Sequence, residues 1–288
     1  MAASRKSVLI TGCSAGGIGS GLAEVFQEKG YHVFATARNP AKIPQTLSNA
    51  SNVTVLTLDV LSFESIAAAV ESVKRETGGK LDVLVNNSGG GLFAPALDTS
   101  IEDGKKLFDL NFWAPMAIVQ AFAPSLIKAK GCLVNNTSAN AVVPMPFMSM
   151  YNASKAALAT TSETWRLELQ PLGVRTITLI TLAVKTNAFA VDRPTNIPEA
   201  SYYYKLRDFI HGLTDGRLQA NGITPRQYAA KVVREIEKGT VGEIWVGAES
   251  FMARWAWWAS PRFVRDMLIE SIIPISKEMA KASQKKQV

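Results

Sequence analysis

Tyr151 and Lys155 stand four apart in YNASK, at the opening of a segment with helical periodicity. Positions i and i+4 share one face of a helix, so the phenol and the ammonium are expected side by side. A free tyrosine has a pKa of roughly 10 and exchanges its proton poorly at neutral pH. A cation ~5 Å away, at an effective dielectric of ~20, favours the phenolate by ~3 kcal/mol, about two pKa units. The pair therefore reads as a proton donor and acceptor. Ser138 lies thirteen residues upstream, at the end of the strand-like GCLVNNTS, where its hydroxyl can hydrogen-bond a substrate carbonyl. Asn111, in DLNFWAP, falls inside an expected helix, where asparagine is a poor helix former. Its amide is expected to be satisfied by a water that relays protons to Lys155. Each residue alone has an ordinary alternative: a helix surface, a strand-end serine, an asparagine facing solvent.

A second cluster points to a cofactor. TGCSAGGIGSGLAEVF carries five glycines between residues 12 and 21, followed by an apolar-periodic run. A strand, a glycine-rich turn and a helix N-terminus together make an anion site, because the helix start presents unpaired N–H groups and the glycines let a diphosphate approach. Gly17 is followed by Ile18, not by the Lys-Ser/Thr of a nucleoside-triphosphate loop, which excludes that class. The second strand ends FATAR. A site selecting NAD usually carries a carboxylate near that point; here Ala37 removes it and Arg38 supplies a cation, which suits the 2′-phosphate of NADP(H).

The elements that must hold these groups alternate. Strand-like runs are expected at 7–10, 31–37, 53–58, 81–85, 132–134, 174–182 and 244–246. Helical periodicity is expected from Leu22, around 66–73, over about 101–128 and over 153–170. That order predicts an α/β doubly wound Rossmann fold, a central parallel sheet of about seven strands with helices on both faces. Ligands then sit at the carboxyl ends of the strands, where the glycines lie.

The 288 residues, 47% of them hydrophobic, suffice for one large core. Cys13 and Cys132 cannot form a disulfide framework and suit a reducing compartment. Two histidines are too few for a histidine-rich metal site, and no metal is expected. The N-terminus runs straight into a strand, which leaves no room for a signal peptide, so Asn135-Asn136-Thr137 carries little weight as a glycosylation site. The net charge of +7 includes +4 from residues 251–288, so it belongs to the tail and not to a nucleic-acid-binding face. A cytoplasmic protein is expected.

Taken in order, TGCSAGGIG at 11–19, Asp59-Val60, NNSG at 86–89, Asn111, Ser138, YNASK and VKT at 184–186 resemble the short-chain dehydrogenase/reductase family over roughly residues 6–250. The glycine loop and the aromatic tail resemble its fungal acyl-dihydroxyacetone-phosphate reductase branch. The resemblance implies Tyr151 as general acid in carbonyl reduction, Lys155 lowering its pKa and binding the nicotinamide ribose, Ser138 orienting the carbonyl and Asn111 completing the relay. It implies Gly12, Gly17, Ile18 and Gly19 along the diphosphate, Ser14 near the adenosine phosphate, Asp59 and Val60 at the adenine, and Asn87 at the adenosine ribose. Val184 and Thr186 would meet the carboxamide. Homo-oligomers are common in the family. Two departures stand out: the loop is one residue longer than usual, leaving Gly16 and Gly17 as alternatives, and Thr181-Leu182 replaces the usual Pro-Gly.

On the substrate side, AVVPMPFMSM between Ser138 and Tyr151 offers Met145, Phe147, Met148 and Met150 as an adaptable apolar wall, or as core. A lid is expected over 189–218, with Tyr202, Tyr203 and Tyr204. These features favour a hydrophobic ketone or aldehyde. The extension 251–288 holds three of the six tryptophans and is too short and charged to cross a bilayer. It is expected to pack on the domain, meet another subunit, or rest on the surface of a membrane or lipid droplet; the terminal KKQV resembles a dilysine retrieval signal of the endoplasmic reticulum. The rival to a reductase is an NADP-binding scaffold or redox sensor without turnover at a membrane. A methyltransferase would leave YNASK and Ser138 idle.

Overall fold

The computed structural model describes residues 5–186 and 196–284. Seven strands form one parallel sheet: β1 (Ser7–Ile10), β2 (His32–Ala37), β3 (Val53–Thr57), β4 (Val83–Asn86), β5 (Cys132–Asn136), β6 (Arg175–Thr181) and β7 (Gly242–Val246). Their spatial order is β3-β2-β1-β4-β5-β6-β7, so the direction of winding reverses between β1 and β4. Parallel strands covered on both faces read as continuous apolar runs, and SVLI is buried throughout. Successive side chains still part to opposite faces: Val8 and Ile10 join one core, Leu9 the other.

The first core packs against α1 (Ile18–Glu28) and α8 (Pro225–Lys238), through Leu22, Phe26, Tyr228 and Val232. A Cβ on Gly21 would lie 2.9 Å from the Pro225 backbone, so glycine sets how closely these two helices meet. Thr224 and Gln227 start α8 with a reciprocal capping box. The short α2 (Gln45–Ser48) lies beside α1, with Leu47 in the same core. The second core packs against α3 (Phe63–Thr77), α5 (Ala114–Ala129) and α6 (Ser149–Leu169), through Val70, Phe122 and Trp165. The helix expected over about 101–128 is divided: α4 (Ile101–Phe108), one π-helical turn (Asp109–Trp113), then α5. The segment 204–284, barely legible as helix in sequence, adds α7 (Arg207–Gly212), α8, and three tail helices, α9 (Ser250–Ala259), α10 (Arg262–Ile272) and α11 (Ile275–Gln284).

Two Asn-Asn pairs lie in register on neighbouring strands, Asn86 opposite Asn135. Being consecutive, the members of each pair face opposite sides. Asn86 donates to Asn135, which donates to Ser162 of α6 (2.9 Å each). On the other side Asn87 Nδ2 donates to the Thr11 carbonyl (2.8 Å), Asn136 Nδ2 donates to Asn87 Oδ1 (3.0 Å), and Thr181 Oγ1 donates to Asn136 Oδ1 (2.6 Å). Thr181 also meets the Tyr228 hydroxyl at 2.6 Å. This ladder ties the carboxyl ends of β1, β4, β5 and β6 to α8. Asn135 is fully buried, which removes the glycosylation reading.

Candidate active site

The glycine turn closes against the end of β4. Gly12 has φ +77°, and a Cβ there would meet Ser88 Oγ at 2.9 Å; a Cβ on Gly19 would sit 2.2 Å from the Gly12 carbonyl oxygen. Neither position admits a side chain. The extra residue is absorbed in a tight turn in which Gly17 N–H donates to the Ser14 carbonyl (3.2 Å). Gly16 takes the left-handed conformation, and Gly17 is the N-cap from which Ile18 and Gly19 enter α1. No side chain caps α1, so its first N–H groups keep the unfilled donor capacity of a helix start. Arg38 is exposed just beyond β2, and no ion pair involves it among the described residues. The Ala15 N–H donates to the Lys42 carbonyl (2.8 Å), which brings a second basic residue to the same corner.

Asp59 and Val60 follow β3 beyond its carboxyl end, Val60 buried and Asp59 accepting the Leu61 N–H at 3.1 Å. The side chain of Asn87, expected at the adenosine ribose, is bonded within the protein. Both amide ends serve the ladder, with Nδ2 also 3.2 Å from the Gly12 carbonyl, because the closely approaching glycine backbone has buried acceptors to satisfy. Val184 is buried in a bridge to Ile223, and Thr186 is half-buried.

On the far side of the switch point, Ser138 follows β5 while Tyr151 and Lys155 lie in the first two turns of α6. All three are buried. Tyr151 hydrogen-bonds Ser138. Lys155 Nζ donates to the Asn136 carbonyl at 3.1 Å and sits 6.0 Å from the Tyr151 ring centre. The phenol is not acidified as expected from the spacing of Tyr151 and Lys155. Burial pushes Tyr151 up to about 12, with the Ser138 hydrogen bond acting the other way, and burial pushes Lys155 down to about 8. Desolvation disfavours both charged forms and outweighs their mutual attraction here.

Asn111 is fully buried, and its amide, expected from sequence to be met by a water, has partners within the protein. Oδ1 accepts the Gly90 N–H (2.9 Å), and Nδ2 donates to the Gly90 carbonyl and to Ser154 Oγ (3.0 Å each). The side chain thus clamps the loop after β4 to α6. The main chain differs: four residues on stands Pro115, which has no N–H to give the Asn111 carbonyl. A π-turn and a proline together open the helix at this residue.

Two residues of the site escaped the sequence reading. Asn140 N–H donates to Ser138 Oγ (3.2 Å), and Ser138 Oγ donates to Asn140 Oδ1 (3.3 Å). Asn140 Nδ2 donates to Asn152 Oδ1 (2.8 Å), and Asn152 Nδ2 to the Met145 carbonyl (2.8 Å). Asn152 is the second letter of YNASK, so its position was in plain view, but nothing in the spacing said where it points.

The apolar loop divides. Phe147 and Met148 are buried in a third cluster with Tyr151, Leu206, Ile210 and Ile273, while Met145 and Met150 pack at its edge. Of the three tyrosines, Tyr203 packs edge-to-face on Phe147 (5.7 Å), Tyr204 lies under Arg207 (4.5 Å), and Tyr202 is exposed. Residues 189–195 of the expected lid lie outside the described residues, as does KKQV.

Both thiols are buried and unreactive, pushed up to about 12 at Cys13 and about 11 at Cys132. Among the described residues no group of three His, Cys, Asp or Glu side chains gathers to hold a metal.

This switch-point sheet, with a Ser-Tyr-Lys group beside a glycine turn, is the architecture of a dinucleotide-dependent oxidoreductase. The profile described as short chain dehydrogenase matches residues 6–196, and the chain belongs to the short-chain dehydrogenase/reductase family. It is 41% identical over 273 residues to a short-chain dehydrogenase of Penicillium ochrochloron, covering 94% of this chain and 99% of the relative. It is 42% identical over 209 residues to the NADPH-dependent 1-acyldihydroxyacetone phosphate reductase of Schizosaccharomyces pombe, covering 71% and 70%. A solved short-chain dehydrogenase of Streptomyces avermitilis has the same fold, with a TM-score of 0.74 at 24% identity over 100% of this chain and 99% of that one.

Proposed function

We propose that the protein is an NADPH-dependent carbonyl reductase acting on a hydrophobic ketone or aldehyde. The observation that carries this is the meeting of buried Ser138, Tyr151 and Lys155 with an apolar cluster, across the switch point from an uncapped glycine turn. The residues fit a dinucleotide, since Gly12 and Gly19 leave no space for a Cβ and the start of α1 keeps free donors. Bound NADPH supplies a hydride from its nicotinamide to the carbonyl carbon. Arg38, without an ion pair among the described residues, would hold the 2′-phosphate, and Gly17, Ile18 and Gly19 would hold the diphosphate. Ser138, turning its one O–H from Asn140 Oδ1 while still accepting the Asn140 N–H, donates to the substrate oxygen and holds it against Tyr151. With its proton held up to about pH 12, the Tyr151 hydroxyl is the acid at neutral pH and gives that proton to the developing alkoxide. Lys155, charged below about pH 8, favours the phenolate left behind and binds the nicotinamide ribose. The Asn111 carbonyl, lacking a donor from Pro115, takes the water through which the proton is replaced.

Phe147, Met148 and Ile210 beside Tyr151 favour an apolar substrate body, and the Schizosaccharomyces pombe relative is by its description a reductase of an acylated dihydroxyacetone phosphate. The test is NADPH oxidation against a panel holding acyl-dihydroxyacetone phosphate, steroid ketones, polyketide ketones and small hydrophilic sugars. Turnover with an apolar ketone and none with the sugars is expected. Turnover with sugars alone overturns the substrate class, and NADPH binding with no turnover anywhere favours the scaffold reading.

A further inference from the structure

The tail helices α9 and α10 bury no residue and turn to solvent large apolar side chains that a soluble domain would ordinarily bury. Phe251, Met252, Trp255 and Trp258 on α9, with Phe263 and Met267 on α10, are each between 59% and 76% exposed. Leu268 and Ile272 of α10 are exposed as well, whereas the other large exposed apolar residues among the described ones are scattered, which is normal; a concentration of this kind is not. This surface is held in shape. Arg265 donates to the Ser260 carbonyl (2.9 Å) and the Trp258 carbonyl (3.4 Å), and its guanidinium lies 5.0 Å from the Trp257 ring. Directly beyond α10, Ile273 is fully buried in the cluster that holds Tyr151, and Ile275 and Met279 of α11 pack on it. The two helices are therefore anchored at the site end, through Ile273 and α11, and bury no residue of their own.

We infer that this surface docks the protein on the interface of an anionic lipid bilayer, with α9 and α10 lying in its plane. Helices of 10 and 11 residues are ~15–17 Å long, about half the hydrocarbon thickness, so they cannot cross it. Indole and thioether groups beside arginine suit the headgroup boundary. Charge decides between lipid and a second copy. Arg254 has no ion pair among the described residues, and Arg262, 95% exposed, reaches Asp266 only at 3.9 Å. Glu270 is turned to the Ser276 N–H (2.8 Å). α9 and α10 carry Arg254, Arg262 and Arg265 against Asp266 and Glu270, in an extension of seven basic and three acidic side chains. A symmetric self-contact would bring this surface against its own like charges, whereas anionic headgroups complement it. On the carbonyl-reductase reading, which this consequence rests on, docking brings the apolar cluster around Tyr151 close to a substrate dissolved in the bilayer.

The experiment is co-sedimentation of the full-length protein with phosphatidylcholine vesicles, with and without phosphatidylserine, in parallel with sedimentation velocity without lipid. No substrate is needed, so the result is independent of whether the catalytic reading holds. Binding to the phosphatidylserine vesicles is expected, weakened by salt, about fivefold weaker for each of Arg254→Glu and Arg262→Glu, and lost in the double variant Trp255→Ser/Trp258→Ser. Circular dichroism verifies folding; should the tryptophan variant misfold, the arginine variants and the salt series decide. Absence of vesicle binding, binding unchanged by all four substitutions, or a lipid-free dimer broken by the tryptophan changes without vesicle binding would each overturn the inference.

Discussion

The Lys155 ammonium rests 3.1 Å from the main-chain carbonyl of Asn136 and 6.0 Å from the centre of the Tyr151 ring. The lysine is thus fixed by the end of β5 and not by the tyrosine it is thought to serve. Because Asn136 also belongs to the ladder joining four strand ends, the position of the amine is set by the sheet. Its charge is then a property of burial, and that can be measured.

Burial holds Lys155 down to about 8 from an ordinary 10.5. Between those values the unfolded chain keeps a proton that the folded chain has released, so stability attributable to this lysine rises with pH. The melting temperature of Lys155→Met minus that of the wild type is expected to be largest below pH 8 and to shrink towards pH 10. A difference flat across that window would show that the amine does not titrate there.

Tyr151→Phe removes the hydroxyl and leaves the ring that packs in the third cluster. We expect NADPH affinity to change little in a fluorescence titration and kcat to fall about 10²–10⁴-fold. Undiminished turnover would remove Tyr151 from the reaction.

Arg38→Glu replaces an unpaired cation beyond β2 with a carboxylate. A charge-assisted contact of ~1.5–3 kcal/mol corresponds to a loss of about ten- to a hundredfold in NADPH affinity, with NADH affinity held or improved. Comparing the two titrations checks this; equal losses for both nucleotides would place Arg38 away from the 2′-phosphate.

Asn140→Ala frees the Ser138 hydroxyl, which Asn140 both donates to and accepts from. A fall in kcat of about tenfold is expected with NADPH affinity unchanged, since loss of one positioning contact misaligns the donor. Asn140→Asp keeps the acceptor and should recover part of the rate. A lowered melting temperature with no change in kcat would make the residue purely structural.

Much of this was legible in sequence because period and spacing encode it. Apolar runs gave the strands, the glycine cluster lay where a parallel sheet binds nucleotides, and i, i+4 spacing put Tyr151 and Lys155 on one face. What spacing does not encode is which neighbour satisfies a buried polar group. The amides of Asn87 and Asn111 are both engaged within the protein, by a glycine backbone and by Gly90 and Ser154, groups that folding brings from distant parts of the chain. The phenol's acidity was misjudged likewise, since a pairwise attraction was counted before the cost of burying both groups. Helix α8 was missed although Thr224, Pro225 and Gln227 form a readable start signal. The tail helices follow no sheet periodicity and were read only as composition.

The ladder from Thr11 through Asn87 and Asn136 to Thr181 and Tyr228 also divides the molecule into parts with different freedom to change. Each rung is directional, so replacing one member strands its neighbours. The wall formed by Phe147, Leu206, Ile210 and Ile273 is held by non-directional contact and tolerates exchange of volume for volume. Descent with altered diet is therefore cheap for this scaffold: the roof can be retailored for a new guest while the floor on which the reaction stands is left as it was.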